Sequence, residues 1–442
     1  MIKITKRVND VIKRDKRIFL TTTRESYPFV AHHGEGDFVY DVAGNKFIDF
    51  SSFIAVYALG VNGNQGIRNA IKKQADLLSH SAFTDYYSEL PVKFGELLVK
   101  MLPRGFGKLF LSNSGTEANE AALKFAKLFT GRPYTLAYYN AFHGRTNGTL
   151  GMTSAELAQR DHFGPFLGVV HVPFPYCYRC PFGLEPESCG FACIDYIKKY
   201  PLAKEADPKE VNSFFIEPIQ GEGGYIVPPK GYFKELRKLL DEHDILLVDD
   251  EVQAGYMRTG KFFALENFGV NADIYTMAKA VGGGLPLGVT ITKLSLGDIE
   301  ARAHANTFGG NHISVAAAYA SLKYVYRNRK TLERQVVAKG KHIMRRLEEM
   351  KERYEIIGDV RGIGLMIGVE LVRSKKSKEP ATKEREIVLD ESFRNGLILL
   401  PAGTSTIRII PPLTANMRNI DRGLDILERA VNVANQSAGS RS

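Results

Sequence analysis

From about residue 76 to 325 this chain alternates short apolar, strand-like runs with helical apolar patterns. That alternation restricts the region to a sheet built largely from parallel βαβ units. The clearest unit is "NSFFIEP" (212–218), then "KGYFKELRKLLDEHD" (230–244), then "ILLVDDE" (245–251). In the middle piece Tyr232, Phe233, Leu236, Leu239 and Leu240 fall on one helical face. Before this region, residues 1–75 hold a basic amphipathic helix and a hairpin, "DFVYDVAGNKFIDF", whose apolar residues alternate around a Gly-Asn turn. From 326 to 442 the chain turns helical and then alternates strands and helices in a smaller domain. Within it, the lysine-rich "RSKKSKEPATKER" (373–385) reads as a solvated loop, and the final "NQSAGSRS" (435–442) as a frayed end.

Composition narrows the function classes. Hydrophobic residues make up 44% and charged residues 24%, the balance of a globular chain rather than a disordered one. No apolar run approaches the roughly 20 residues that span a bilayer, and the first seventeen residues are too charged for the apolar core of a signal peptide. The expected location is therefore cytoplasmic. Basic residues exceed acidic ones, 59 against 49, yet they are mixed with acids along amphipathic segments. No basic, aromatic-interleaved stripe appears, so no nucleic-acid partner is expected.

Four strand ends carry chemistry suited to one site. The strand ending at Leu111 runs into "SNSGTEANEAALKFAKLF", a small-residue turn opening a helix. Free N–H groups and the positive dipole end there suit a phosphate, with Ser114, Gly115 and Thr116 as donors. The strand through Ile216 ends in "EPIQGEGG", the one from 245 to 248 in Asp249, Asp250 and Glu251, and the fourth in Lys279, followed by "AVGGG". Parallel strands with right-handed crossovers bring all four ends to one edge, where ligands bind in doubly wound sheets. A phosphate seat, a buried carboxylate and a lysine together fit pyridoxal phosphate (PLP).

The motifs now on the page resemble the class III (omega-type) aminotransferases, PLP enzymes of fold type I. The run "VDDEVQAGYMRTGKFFALENFGVNADIYTMAKAVGGGLPLG" (248–288) looks like that family's signature. "NSGTEANEAALKFAK", "AFHGRT", "EPIQGEGG", "NTFGGN" and "IRIIPPL" are similar to its other motifs, in the family's order, from about residue 36 to 430. The resemblance implies a large domain with a mostly parallel seven-stranded sheet flanked by helices, and a smaller α+β domain built from both termini. It implies that Lys279 holds PLP as a Schiff base and moves the proton, and that Asp250 partners the pyridine nitrogen. Val252 and Phe142 would pack on the two ring faces, with Gln253 near the ring hydroxyl. His143 is counted around the cofactor with no catalytic step assigned. Thr307 would reach the phosphate of the neighbouring subunit, which implies a homodimer with shared active sites.

For the substrate, the resemblance implies that Arg145 meets a carboxylate and that Arg408 forks onto the α-carboxylate of amino acids such as glutamate. Glu222 would pair with Arg408 and mask it when an omega-amine enters, Ile54 would line the pocket, and Glu217 would orient Gln253. The activity implied is transfer of an amino group from a 4-aminobutyrate, ornithine or acetylornithine type of donor to 2-oxoglutarate. Some archaeal relatives with the same motifs are amino-acid racemases, and Lys279 and Asp250 serve either reaction. Two departures fall beside the substrate pocket: Phe53 in "SSFIAV" where the family commonly has glycine, and "GVNGNQG" in place of a "GHCHP"-like turn. All four cysteines lie in "CYRCPFGLEPESCGFAC", as Cys177, Cys180, Cys189 and Cys193. The spacing leaves a zinc knuckle, two disulfides and free thiols all open.

Overall fold

The computed structural model describes residues 2–20, 27–166 and 168–439. The chain divides into two compact units, one of Met1–Gln65 with Val337–Ser442 and one of Gly66–Val336. The first is thus built from both ends of the chain. The second division falls inside one continuous helix, His312–Arg353, which also contains the expected joint at 325. Among the described residues no helix is long and apolar enough to cross a membrane.

In the first unit, β1 (Ala31–Glu35), β2 (Phe38–Asp41) and β3 (Lys46–Asp49) form an antiparallel meander. The β2–β3 turn is the expected hairpin: Gly44 takes φ +82°, and the Asp41 carboxylate accepts from the backbone of Ala43 (2.9 Å) and Asn45 (2.8 Å).

The second unit holds β4 (Phe106–Ser112), β5 (Tyr134–Tyr138), β6 (Val169–Val172), β7 (Val211–Ile216), β8 (Leu246–Asp250), β9 (Ile274–Met277) and β10 (Gly288–Lys293). They make a seven-stranded sheet in the order β4-β10-β9-β8-β7-β5-β6. β10 alone runs against the rest, pairing antiparallel with both β9 and β4. Its connection from β9, residues 278–287, is shorter than the roughly dozen residues a parallel crossover needs. Every residue of β7 and of β9 is buried, as expected of strands covered on both faces. The helix Tyr232–Asp241 buries the five apolar residues its periodicity selects. The helix Gly115–Thr130 lies on the sheet with alanines at 118, 121, 122 and 126. Those small side chains join Leu123, Phe215, Val248 and Ile274 in the core between helix and strands.

The first unit resumes with β11 (Ile357–Ile363), β12 (Met366–Leu371), β13 (Leu397–Ile398), β14 (Leu400–Ala402) and β15 (Thr406–Ile409). β13 adds to β3 in parallel, and β11-β12-β15-β14 form a second antiparallel sheet. The expected loop 373–385 is loop from 373 to 381, and the helix Thr382–Arg394, which buries Glu384, Val388, Leu389 and Phe393, takes its last four residues. The C-terminal helix Met417–Gly439 likewise extends through most of the expected frayed end, whose last residues, 440–442, lie outside the described residues.

Candidate active site

β4, β7, β8 and β9 run parallel, so their carboxyl ends share one edge of the sheet and bring the four predicted segments together. At the end of β4, Ser114 caps the helix Gly115–Thr130. Its hydroxyl accepts from the Glu117 backbone (3.1 Å), and the Glu117 carboxylate accepts from the N–H of Asn113, the residue before the cap. The Ser114 side chain is therefore engaged, and the amides of Gly115 and Thr116 are the first-turn donors aimed out of the helix. Gly115 is required here. A Cβ at that position would stand 2.7 Å from Val252 Cγ1, so the phosphate turn and Val252 are packed together.

Asp250, at the end of β8, is the most heavily supported side chain of the site. It is 4% exposed and accepts three hydrogen bonds: from Asn119 Nδ2 (2.7 Å), His143 Nδ1 (2.8 Å) and the Val252 backbone (3.0 Å). Asn119 is absent from the residues the sequence singles out. It is 1% exposed, and besides holding Asp250 it donates to the His143 carbonyl (2.8 Å) and accepts from Thr276 Oγ1 (2.6 Å). One amide thus ties the helix, β9 and the segment after β5 to a single carboxylate. The only sequence signal for it is a polar residue on the alanine-rich face of that helix.

His143 is fully enclosed. Burial alone would lower its pKa, but the Asp250 contact and the nearby Glu217 charge raise it on balance. Glu217, just past β7, lies near Gln253, since a Cβ at Gly221 would meet both Gln253 Nε2 and Glu217 Oε1 (3.4 Å). Its carboxyl accepts from the backbone of Phe142 (3.0 Å) and Gly221 (3.1 Å), while Tyr225 donates to Gln253 Oε1 (2.6 Å). Burial pushes the Glu217 carboxyl up to about 7, against the lowering pull of His143. Asp249 and Glu251, flanking Asp250, are buried and lie against each other. Burial first, and then the neighbouring charge, raises Asp249 well above the ordinary carboxyl range, and Glu251 goes to about 7.

Lys279 follows β9 directly and sits half-buried with φ +47°, a left-handed conformation that costs a lysine roughly 1–2 kcal/mol. The glycines beside it have a steric cause. Gly283 has φ +61°, and a Cβ there would meet the Ala317 carbonyl oxygen at 2.9 Å, so the turn lies directly on the helix His312–Arg353. Phe142 is half-buried and the exposed Arg145 guanidinium lies 5.1 Å over its ring, a cation–π contact. Glu222 is half-buried, and Thr307 is exposed in the loop before His312.

Two predicted residues belong to the first unit. Arg408, on β15, is 5% exposed and donates from Nε to the Pro401 carbonyl (2.8 Å). Ile54 stands in a turn where Ser52, Phe53, Ile54 and Ala55 all take positive φ, between 46° and 63°. This single left-handed turn is held at its start by Asp49, which accepts from Ser51 N (2.8 Å) and Ser52 N (3.1 Å). Ser52 Oγ also donates to the Ile410 carbonyl (2.6 Å). Its two large apolar side chains face outward, Phe53 at 37% and Ile54 at 43% exposure, while Ala55 is buried.

Comparison with known proteins agrees with this geometry. The model of the family "Aminotransferase class-III" matches residues 20–431. A leucine/methionine racemase of Thermococcus litoralis is 41% identical over 96% of this chain and 96% of its own length. An acetylornithine aminotransferase of Clostridium acetobutylicum is 36% identical over 93% and 99%. Among solved structures, the taurine:2-oxoglutarate aminotransferase of Bifidobacterium kashiwanohense, in complex with PLP and glutamate, superposes with a TM-score of 0.89 at 27% identity, covering 99% of both chains. The seven-stranded sheet, the lysine-bearing strand end and the full-length family match lead to one conclusion: this chain belongs to the class III aminotransferases and is a PLP-dependent enzyme of fold type I.

Proposed function

We propose that the enzyme transfers an amino group from an omega-amino donor of the 4-aminobutyrate, ornithine or acetylornithine type to 2-oxoglutarate, in two half-reactions on one site. The observation that carries this reading is the meeting, at one sheet edge, of a half-buried lysine with a buried carboxylate held by three donors. PLP, when bound, supplies an aldehyde that links to amines and a ring that withdraws electrons from the bond being broken.

The chain's own residues do the rest. Lys279 carries the cofactor and, once released by substrate, moves the proton from the substrate carbon. Asp250, fixed by Asn119, His143 and the Val252 backbone, partners the ring nitrogen. Its fit to the group rests on its burial, since a carboxylate kept from water calls for a cationic N–H opposite. The Gly115 and Thr116 amides, with Ser114 shaping their turn, seat the phosphate. Val252 and Phe142 flank the ring, and Gln253, oriented by Tyr225, addresses its hydroxyl. Arg145 and Arg408 bind substrate carboxylates, Glu222 masks Arg408 for omega-amines, and Ile54 lines the donor side. Thr307 extends from its exposed loop to the partner subunit's site in a homodimer.

A second reading, racemisation of an aliphatic amino acid, is favoured by the 41% identity to a leucine/methionine racemase. One experiment separates the two. The PLP-loaded enzyme is incubated with 4-aminobutyrate, L-ornithine, N-acetyl-L-ornithine, L-leucine and L-methionine, each with and without 2-oxoglutarate, and products are resolved by chiral chromatography. Glutamate formed only when the keto acid is present supports amino transfer. D-amino acid accumulating without any keto acid overturns it in favour of racemisation.

A further inference from the structure

The amino-transfer chemistry leaves the cysteine patch unused. It follows β6 at the outer end of the sheet order, with β5 and β7 between β6 and the Asp250 strand. Cys177, Cys180, Cys189 and Cys193 all line one small, partly open cavity of about 30 Å³, room for a single ion or water. The rest of its wall is apolar and rich in proline, with Pro175, Pro181, Pro186 and Pro229. No carboxylate, imidazole or basic side chain lines it, so sulfur is the chemistry it offers.

The thiols are poorly served as thiols. Cys177 and Cys189 donate long, weak contacts to the carbonyls of Pro175 (3.9 Å) and Pro186 (3.7 Å). None of the four is joined in a disulfide. Cys193 opens the helix Ala192–Lys199, where the backbone N–H groups of Cys193 and Ile194 face its sulfur and would stabilise a thiolate. Burial nevertheless pushes that thiol up to about 12, with Cys189 and Cys177 adding to the shift. Burial, then Cys189 and Cys180, raises Cys177. Four sulfurs facing one small cavity with no other donor among them are the ligand set of a single soft cation.

We propose that Cys177, Cys180, Cys189 and Cys193 bind one zinc ion, which staples the loop after β6. Each ligating cysteine gives its proton to solvent and a lone pair to the metal. Four thiolates on one dication leave an excess of two negative charges, and no electron moves. Among the described residues no three such side chains stand preassembled around an ion. Zinc binding therefore requires the four sulfurs to draw together from their metal-free positions. Gly183 (φ +65°) and Gly190 (φ +57°) bracket the segment that carries Cys189, and both pivot without a Cβ penalty. Tetrahedral sulfur sets select zinc over the oxygen-seeking cations.

The test uses the full-length holoenzyme, expressed with supplementary zinc and purified without chelator. Elemental analysis should give about one zinc per chain. A thiol reagent should find the four cysteines masked in the native protein and reactive after a zinc chelator is added. The Cys180→Ser/Cys189→Ser variant should lose most of the zinc while keeping bound PLP and turnover within about twofold. Zinc-free wild-type protein after reconstitution with zinc, or native thiols all reactive before chelation, overturns the proposal. So does a non-reduced mass lighter by two hydrogens per bridge, which marks disulfides. If the variant fails to fold, the metal content and thiol masking of the wild type decide alone.

Discussion

Replacing Glu217 by glutamine tests whether this buried acid is neutral beneath the site. Burial places its native pKa at about 7, against an ordinary value of 4.5. The difference, at 1.36 kcal/mol per unit, amounts to ~3 kcal/mol. Below the unfolded value both states hold the proton and nothing is lost. Between about 4.5 and 7 the unfolded chain ionises while the native one keeps its proton, so the stability is fully present at low pH and lost as pH rises through 7. Glutamine has the same shape and never ionises, but it cannot accept from both Phe142 N and Gly221 N without turning an N–H₂ toward one of them, a local loss of about 1 kcal/mol. The difference in unfolding free energy, wild type minus Glu217→Gln, should start near +1 kcal/mol at pH 5 and fall by ~3 kcal/mol by pH 8, changing sign on the way. Urea titrations of both apo-proteins across that range measure it, and groups unaffected by the substitution cancel in the difference. Parallel curves, or a difference that grows with pH, would refute the argument that Glu217 is held neutral by burial.

Two further substitutions probe the supports of the site. Asn119→Ala removes a donor to the Asp250 carboxylate and leaves the His143 carbonyl and the Thr276 hydroxyl without their partner. It should cost ~3–5 kcal/mol of stability and weaken PLP retention at least about tenfold; denaturation and equilibrium dialysis check both. Gly115→Ala drives a methyl to within 2.7 Å of Val252, the residue proposed to flank the ring, so helix start and valine must separate. The expected result is a loss of roughly 1–3 kcal/mol in PLP binding, tenfold to a hundredfold, read by cofactor titration, with the far-UV spectrum unchanged.

The parts of this fold legible in the sequence are those where one strong physical signal acts alone. The helix Tyr232–Asp241 has an unbroken apolar face, and β7 and β8 around it are apolar runs, so periodicity finds all three. The lysine at the end of β9, by contrast, is legible only in company: alone it reads as a solvated strand end, and the small-residue turn at 113–116 and Asp250 at neighbouring strand ends are what single it out. Asn119 is not legible, since a lone amide in a helix carries no mark of the carboxylate it meets across 131 residues. Nor is the left-handed turn at 52–55, where Ser, Phe, Ile and Ala have no intrinsic preference for positive φ and the Asp49 carboxylate, with the long-range contact of Ser52 to Ile410, holds it. The loop expected at 373–385 is misplaced only at its far boundary, for a third reason. Its lysines suggest solvent, but Thr382 onward repeats apolar residues at helical spacing only from Val388, beyond the charged stretch that dominates the eye.

Every role proposed for this site depends on Lys279 as the residue that carries the cofactor. Borohydride treatment of the PLP-loaded enzyme fixes the lysine–cofactor link, and digestion with mass spectrometry then locates it. The expected result is a pyridoxyl group on the peptide containing Lys279, and neither the label nor turnover in Lys279→Ala. A label on any other lysine of the wild type, or turnover kept by Lys279→Ala at the wild-type rate, would contradict it.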